Sequence, residues 1–332
     1  MLTTLSGSRV LIAGAHGMLA GHLIPALQNS EIELTLAGLP GARPTIPAGA
    51  TDIPSPCYPA HPIEHYEGTI YPLDITDARE CLELMEQLRP NWVINAAAYT
   101  AVDHAQRDYS RAFEINSLGP KNLAHAARLT GAKLVHISSD YVFGGHATDG
   151  NVRRVPYSET DSHAPCGLYG ESKRFGDELA VSESHGTALV LRTSWLHGLY
   201  GGNFVDTILT RSAELDELRV VSDQFGSPTY AGLLTECMLD LMAQDRSGIF
   251  HISSQGGISW NDFAAEITKL ARRSCTVRTQ TSEELNRPAP RPAYSVLALD
   301  KVETTLNRRL PSWKIGLAQH LHVRGFAPTE SI

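Results

Sequence analysis

The sequence predicts an α/β protein built on a doubly wound parallel sheet, with a smaller mixed α/β unit toward the C-terminus. Three observations predict it. Short aliphatic runs alternate with amphipathic helical stretches through the first half of the chain. The first of those runs ends in a glycine-rich turn. The chain has 332 residues, more than the ~250–300 that one hydrophobic core fills, so two unequal units are expected.

The elements follow in order. Arg9 to Ala13 is a β-branched and aliphatic run bounded by glycine, the pattern of a buried parallel strand. Met18 to Gln28 places Leu19, Leu23, Ile24 and Leu27 on one helical face, and Ile32 to Ala37 is a second strand. A β-α-β opening implies a right-handed crossover. Seven prolines between Pro40 and Pro62 argue for an irregular excursion from Pro40 to Pro72. Alternation resumes with a helix over Ala78–Leu88, a strand over Trp92–Asn95, a helix from Tyr109 to Thr130 interrupted near Gly119-Pro120, and a strand over Lys133–Ser138. Past Gly198 the pattern predicts helices at Phe204–Leu215, Ala231–Met242 and Trp260–Arg272. Strands fall at Arg219–Ser222 and Gly248–Ser253, and the tail is rich in Pro and Arg from Arg287 to Pro292.

Composition narrows the classes. Hydrophobic residues make up 42% and charged residues 19%, and the net charge is -8, which argues against bulk affinity for nucleic acid or an anionic membrane. The five cysteines, Cys57, Cys81, Cys166, Cys237 and Cys275, form no CxxC pair, so neither a disulfide framework nor a metal site is expected. No apolar run reaches the ~18 residues of a membrane span, and Met1 to Arg9 does not read as a leader. A reducing cytoplasm is the expected setting.

The first strand runs into Gly14-Ala15-His16-Gly17-Met18-Leu19-Ala20-Gly21. A strand, a glycine turn and a helix start make a pyrophosphate cradle, because the bare backbone can approach the ligand and the helix N-terminus offers N–H groups. The plain alternative is a tight turn with no ligand. The His16 backbone is placed in the cradle, and its imidazole is expected to face solvent. The second strand ends in Leu36-Ala37-Gly38-Leu39-Pro40, without the acid that grips the ribose of NAD. Arg43 can meet a 2′-phosphate or stand as a solvated loop residue, and the second is the favoured reading. The cofactor expectation is therefore NADPH or NADH.

The sharpest signal is Tyr169-Gly170-Glu171-Ser172-Lys173, which sets Tyr169 and Lys173 on one helix face. A tyrosine at its usual pKa of ~10 is a poor proton catalyst near neutrality, and an adjacent ammonium is expected to draw that pKa down. Upstream, a strand ends in Ser138-Ser139-Asp140-Tyr141, where a hydroxyl points into the crevice at the carboxyl ends of the sheet. Ser139 there can hydrogen-bond a carbonyl as charge develops on it. The bland readings are a strand terminus and an amphipathic helix with a snorkelling lysine.

Glycine loop, Ser, Tyr and Lys in this order resemble the extended short-chain dehydrogenase/reductase superfamily. Further segments resemble the dTDP-4-dehydrorhamnose reductase family: Asn95-Ala-Ala-Ala-Tyr-Thr-Ala-Val-Asp103, Ser139-Asp-Tyr-Val-Phe143, Leu191-Arg-Thr-Ser-Trp195, Ser222-Asp-Gln-Phe-Gly-Ser-Pro-Thr229 and Pro290-Arg-Pro292. The resemblance covers about Arg9 to about Leu321. It implies a Rossmann-type sheet in residues 1–196 plus about 225–250, and a substrate-binding domain in 197–224 and 251–332. It implies that Ser139 polarises a keto oxygen, that Tyr169 donates the proton, that Lys173 anchors the ribose, and that Asn116 supports the lysine through a water. It places Gly14, His16, Gly17, Met18, Leu19, Asp74, Ile75, Ala96, Ala97 and Ala98 around the dinucleotide, with Tyr169 and Lys173. Asp140, Tyr141 and Trp195 would hold the sugar, and Arg291 the nucleotide diphosphate, since a guanidinium forks onto phosphate oxygens. Asp74 also reads as a helix cap, Trp195 as core and Arg291 as a solvated charge.

The implied reaction is NAD(P)H-dependent reduction of the 4-keto group of a nucleotide-linked 6-deoxy sugar by an enzyme whose bacterial relatives are often dimers. Two alternatives stay open. One is a nucleotide-sugar 4,6-dehydratase or epimerase on the same scaffold, although Tyr141 stands where a dehydratase carries a second acid. The other is a regulatory subunit resembling that of methionine adenosyltransferase. Three departures from the family pattern stand out: the missing acid after the second strand, the long excursion from Pro40 to Pro72, and Leu196-His197 after Trp195.

Overall fold

The computed structural model describes residues 2–28, 30–43, 61–146 and 152–326. Cys57 and most of the proline-rich excursion lie outside the described residues; Cys81, Cys166, Cys237 and Cys275 are free thiols. No helix among the described residues is long and apolar enough to cross a membrane.

Seven strands form the central sheet: β1 (Arg9–Ala13), β2 (Glu33–Gly38), β3 (Ile70–Pro72), β4 (Trp92–Asn95), β5 (Lys133–Ser139), β6 (Leu189–Thr193) and β7 (Gly248–His251). Their spatial order is β7-β6-β5-β4-β1-β2-β3, and every pairing is parallel. Strands after β1 are added to one side and later ones to the other, so the order reverses between β1 and β4. That switch point opens a crevice at the carboxyl edge.

Strand alternation explains why both faces are covered. Val10 and Ile12 of β1 face one core with Leu23, Ile24 and Leu27 of the helix Met18–Gln28 and with the helix Ala231–Ala243. Leu11 and Ala13 face the other, against the helices Ala78–Leu88, Gly119–Thr130 and Leu168–Glu183. Leu23 is fully buried, so Leu23→Ala would cost ~2–5 kcal/mol. A third core, separate from these, gathers the helices Phe204–Glu214, Trp260–Leu270 and Trp313–Val323 around Phe263 and Leu317. Beside it Glu217–Val221 pairs in parallel with Thr276–Gln280.

The predicted interruption of the helix after β4 is a wide π-turn at Glu114–Leu118, between Tyr109–Phe113 and Gly119–Thr130. Pro120 has no N–H to give the carbonyl four residues back, that of Asn116, and the helix widens there. That carbonyl lies against the Tyr169 helix: a Cβ on Gly176 would be 2.1 Å from it, so only glycine lets the helix pack this close.

Candidate active site

A cleft of about 580 Å³ opens where β4, β5 and β6 end. Its floor holds Met18 and Leu19 from the glycine turn, Ala96, Ala97 and Ala98 after β4, and Ser138 to Tyr141 after β5. Tyr169 and Lys173 reach it from the helix Leu168–Glu183, and Trp195 and Trp260 form the opposite wall. An adjoining recess of about 260 Å³ holds Gly14, His16, Gly17, Gly38, Asp74 and Ile75, together with Arg43 and Arg111. Ala96 to Ala98 are shared by both spaces.

The glycine turn is tight for a geometric reason. Gly14 has φ 86°, and a Cβ on it would sit 2.5 Å from the Ala97 amide nitrogen. Small residues at 96–98 and glycine at 14 thus bring two strand ends together beside a helix N-terminus, which suits a pyrophosphate. The fit to a polar ligand has independent support. The hydroxyls of Ser138 and Thr193, two residues of the cleft lining, are buried and have no partner. Such groups cost free energy unless something hydrogen-bonds them.

The His16 imidazole is half-buried: a Cβ on Gly38 would lie 3.0 Å from its Nδ1, and partial burial lowers its pKa. The absence of a side chain at Gly38, the end of β2, gives the ring its place. Asp74 does not cap the next helix. Its carboxylate accepts from the Thr76 amide and hydroxyl, closing a local turn, while Asp77 caps the helix Ala78–Leu88. Asp74 is thereby left on the rim of the recess.

Ser139 ends β5 and is joined to Asp140. Its hydroxyl donates to Asp140 Oδ1 at 3.1 Å and accepts from the Tyr141 amide at 3.2 Å. Asp140 is buried, and its other oxygen accepts from Ser194 at 2.9 Å and Ser295 at 2.5 Å. Burial raises its pKa to about 6 while the three serine hydroxyls oppose the rise. Asp140 therefore braces β5, β6 and the C-terminal segment. The Tyr141 ring meets the Tyr169 ring edge to face at 5.5 Å. Gly170 makes this possible, since a Cβ there would meet the Tyr141 carbonyl at 2.2 Å.

Tyr169 also departs from the sequence expectation. Its pKa is pushed up to about 12, by burial first, with a hydrogen bond to Ser139 drawing it down and Asp140 and Asp177 adding to the rise. Desolvation of the phenolate dominates, so the phenol keeps its proton. Lys173 is buried, and its ammonium donates to the Ile137 carbonyl at 2.7 Å. Burial lowers its pKa to about 8, with Asp177 opposing. Asn116 lies behind the catalytic helix, next to Ser172. Its side chain accepts from the Tyr99 amide at 2.8 Å and donates to the Tyr99 carbonyl and to Ser172 Oγ. It ties the loop after β4 to the catalytic helix.

The second wall is made by side chains distant in sequence. Trp195 and Trp260 stack at 3.5 Å with planes 6° apart. Trp195 has φ 45°, a strained conformation for a bulky residue. Gly226, in the Ser222–Thr229 motif, accommodates it, since a Cβ there would lie 2.4 Å from the indole. Arg291 is outside the cleft lining. Its guanidinium forks onto Asp103, with both contacts at 3.0 Å, and holds that carboxyl down at about 2. The diphosphate role expected for Arg291 would require this pair to open. Trp260, Thr193, Gly201 and Gly202 line the cleft without having been singled out in the sequence. Nothing local marks them, because their place depends on packing between distant segments.

A dinucleotide cradle continuous with a tyrosine–lysine cleft defines a class, the dinucleotide-dependent oxidoreductases of the extended short-chain type. The family model described as RmlD substrate binding domain matches residues 8–324, and the chain belongs to that family. It is 39% identical to a dTDP-4-dehydrorhamnose reductase of Sinorhizobium fredii, over 68% of this chain and 77% of that protein. It is 35% identical to a probable dTDP-4,6-dihydroxy-2-methyloxan-3-one 4-ketoreductase of Streptomyces antibioticus, over 94% of each. Among solved structures, dTDP-4-dehydrorhamnose reductase from Bacillus anthracis in complex with NADP superposes with a TM-score of 0.76 at 33% identity, over 95% of this chain and 99% of that one.

Proposed function

We propose that this protein reduces the 4-keto group of a nucleotide-linked 6-deoxy sugar. The observation that carries the reading is that Ser139, Tyr169 and Lys173 line one cleft with the glycine turn at Gly17 and Met18. The relatives' names support the substrate class. NADPH or NADH, when bound, supplies the hydride. Gly14, Gly17 and the helix N-terminus at Met18 hold the pyrophosphate, and Lys173 holds the ribose. Ala96 to Ala98 allow close approach. Ser139 orients the keto oxygen, and Tyr169 delivers the proton as charge develops on it. Trp195, Trp260 and Tyr141 exclude water and position the sugar ring.

A dehydratase reading is weaker, because Asp140 is the sole acid among the described lining residues and three serines already engage it. The reading carries with it a substrate domain in 197–224 and 251–332, a cytoplasmic setting and a homodimer, the last open to light scattering. The direct test is oxidation of NADPH and of NADH, followed by absorbance, with dTDP-4-keto-6-deoxy sugars made in situ. Oxidation present in the wild type and lost in Tyr169→Phe is the expected result. Tight dinucleotide binding without turnover on any such sugar would refute the substrate assignment.

A further inference from the structure

The glycine turn is followed by one more glycine, Gly21, which the cradle itself does not require. Its place in the helix Met18–Gln28 explains it. A Cβ there would lie 2.2 Å from Tyr200 Cδ2 and 3.0 Å from His61 Nε2, so the helix is notched to seat two rings. Tyr200 meets His61 edge to face at 5.1 Å and His22 at 5.3 Å. His61 in turn reaches the cradle, with Nε2 3.1 Å from the Gly17 carbonyl. Its Nδ1 accepts from the Ile63 amide, so the Nε2 side carries the proton and donates.

Tyr200 belongs to the segment Gly198–Gly202, which crosses from β6 toward the helix Phe204–Glu214 and passes over the cradle. Gly201 and Gly202 line the cleft, and a Cβ on Gly201 would sit 3.5 Å from the Met18 Cβ. The strap is pinned from both sides. The Leu199 amide donates to His22 Nε2 at 3.1 Å, and the Leu199 carbonyl accepts from Arg324 at 2.9 Å. Asn203 donates to the carbonyls of Gly198 and Gly201. The Tyr200 ring packs onto Gly21 of the helix that follows the cradle.

We infer that Tyr200 is a positioning residue for the dinucleotide: seated on Gly21 between His22 and His61, it fastens the Gly198–Gly202 strap over the pyrophosphate cradle. The inference rests on the dinucleotide reading of that cradle. A reductase must release its spent cofactor in every cycle, so the grip of the strap sets how fast the cofactor leaves.

The test is the dissociation rate of NADPH from the full-length protein, measured by a stopped-flow chase of its fluorescence, beside thermal melting to show that each variant folds. Tyr200→Ala removes the ring, and release should be roughly tenfold faster. Tyr200→Phe keeps the ring contacts and should release near the wild-type rate. Gly21→Ala leaves the tyrosine but fills its seat, and should speed release as well. Because both act on one contact, the double variant should release no faster than Tyr200→Ala alone. In turnover the KM for NADPH should rise, while the single-turnover hydride step keeps its rate. Wild-type release from a folded Tyr200→Ala would overturn the inference, as would fully additive effects in the double variant. A wild-type protein that binds neither NADPH nor NADH would instead overturn the dinucleotide reading itself, and the inference with it.

Discussion

The two walls of the cleft are built by different means. On one side Ser139, Tyr169 and Lys173 sit on regular elements, at the end of β5 and on the helix Leu168–Glu183, locked by the sheet and by Asn116. On the other side Trp195, Trp260 and the Gly198–Gly202 strap come from segments far apart in sequence, and Trp195 keeps a strained backbone against Gly226. Rigid elements hold reacting groups in fixed relation, which proton transfer demands. Loops can vary their lining without disturbing that relation. The difference teaches where each property would be carried under the proposed function: the reaction type on the first wall and substrate choice on the second.

The comparison is most easily broken at Tyr169. Tyr169→Phe should lower kcat by ~10²–10⁴ while dinucleotide affinity, read by fluorescence titration, stays near wild type. A variant that keeps its kcat would remove the first wall's claim to the chemistry. The next effect is pH. Lys173 is lowered from its usual value to about 8, so it is charged below that pH and neutral above it. In the proposed role its ammonium holds the ribose, so kcat/KM should fall about tenfold per pH unit on the alkaline side of about 8. A flat profile from pH 7 to about 10 would show that its charge is not required.

The second wall should respond in affinity instead. Trp195→Ala removes the stack on Trp260, and the KM for the sugar nucleotide should rise about tenfold, with a smaller change in kcat. A larger loss in kcat than in KM would merge the two walls into one unit. The smallest effect concerns Arg291. If its pair with Asp103 only fastens the C-terminal segment, Arg291→Ala and Asp103→Asn should shift melting by similar small amounts, since the pair is partly exposed and worth at most about 1 kcal/mol. If Arg291 opens onto the diphosphate, Arg291→Ala alone should raise the KM.

Much of the first wall was legible in the sequence because its signals are local. The β-α-β opening, the glycine turn and the Tyr-x-x-x-Lys spacing each fit within one element and its turn, where periodicity and backbone geometry act directly. The break near Gly119-Pro120 was legible for the same reason, although its form, a π-turn at Glu114–Leu118, depends on which carbonyl Pro120 leaves unbonded. The side-chain environments were not legible. The His16 ring turns onto Gly38, the Asn116 side chain braces Tyr99 and Ser172, and Tyr169 is raised rather than lowered in pKa. Each of these depends on what a distant segment places alongside.

The sequence by itself determined the strand–turn–helix cradle, the alternating elements of the parallel sheet and the order of Ser139, Tyr169 and Lys173, because these follow from short-range sterics and the periods of helix and strand. Only the tertiary structure decided which groups are desolvated, which carboxylates are already engaged, as Asp103 is by Arg291 and Asp140 by three serines, and which glycines seat a neighbour's ring. Burial and close packing arise between segments separated by many residues, and no local pattern encodes them.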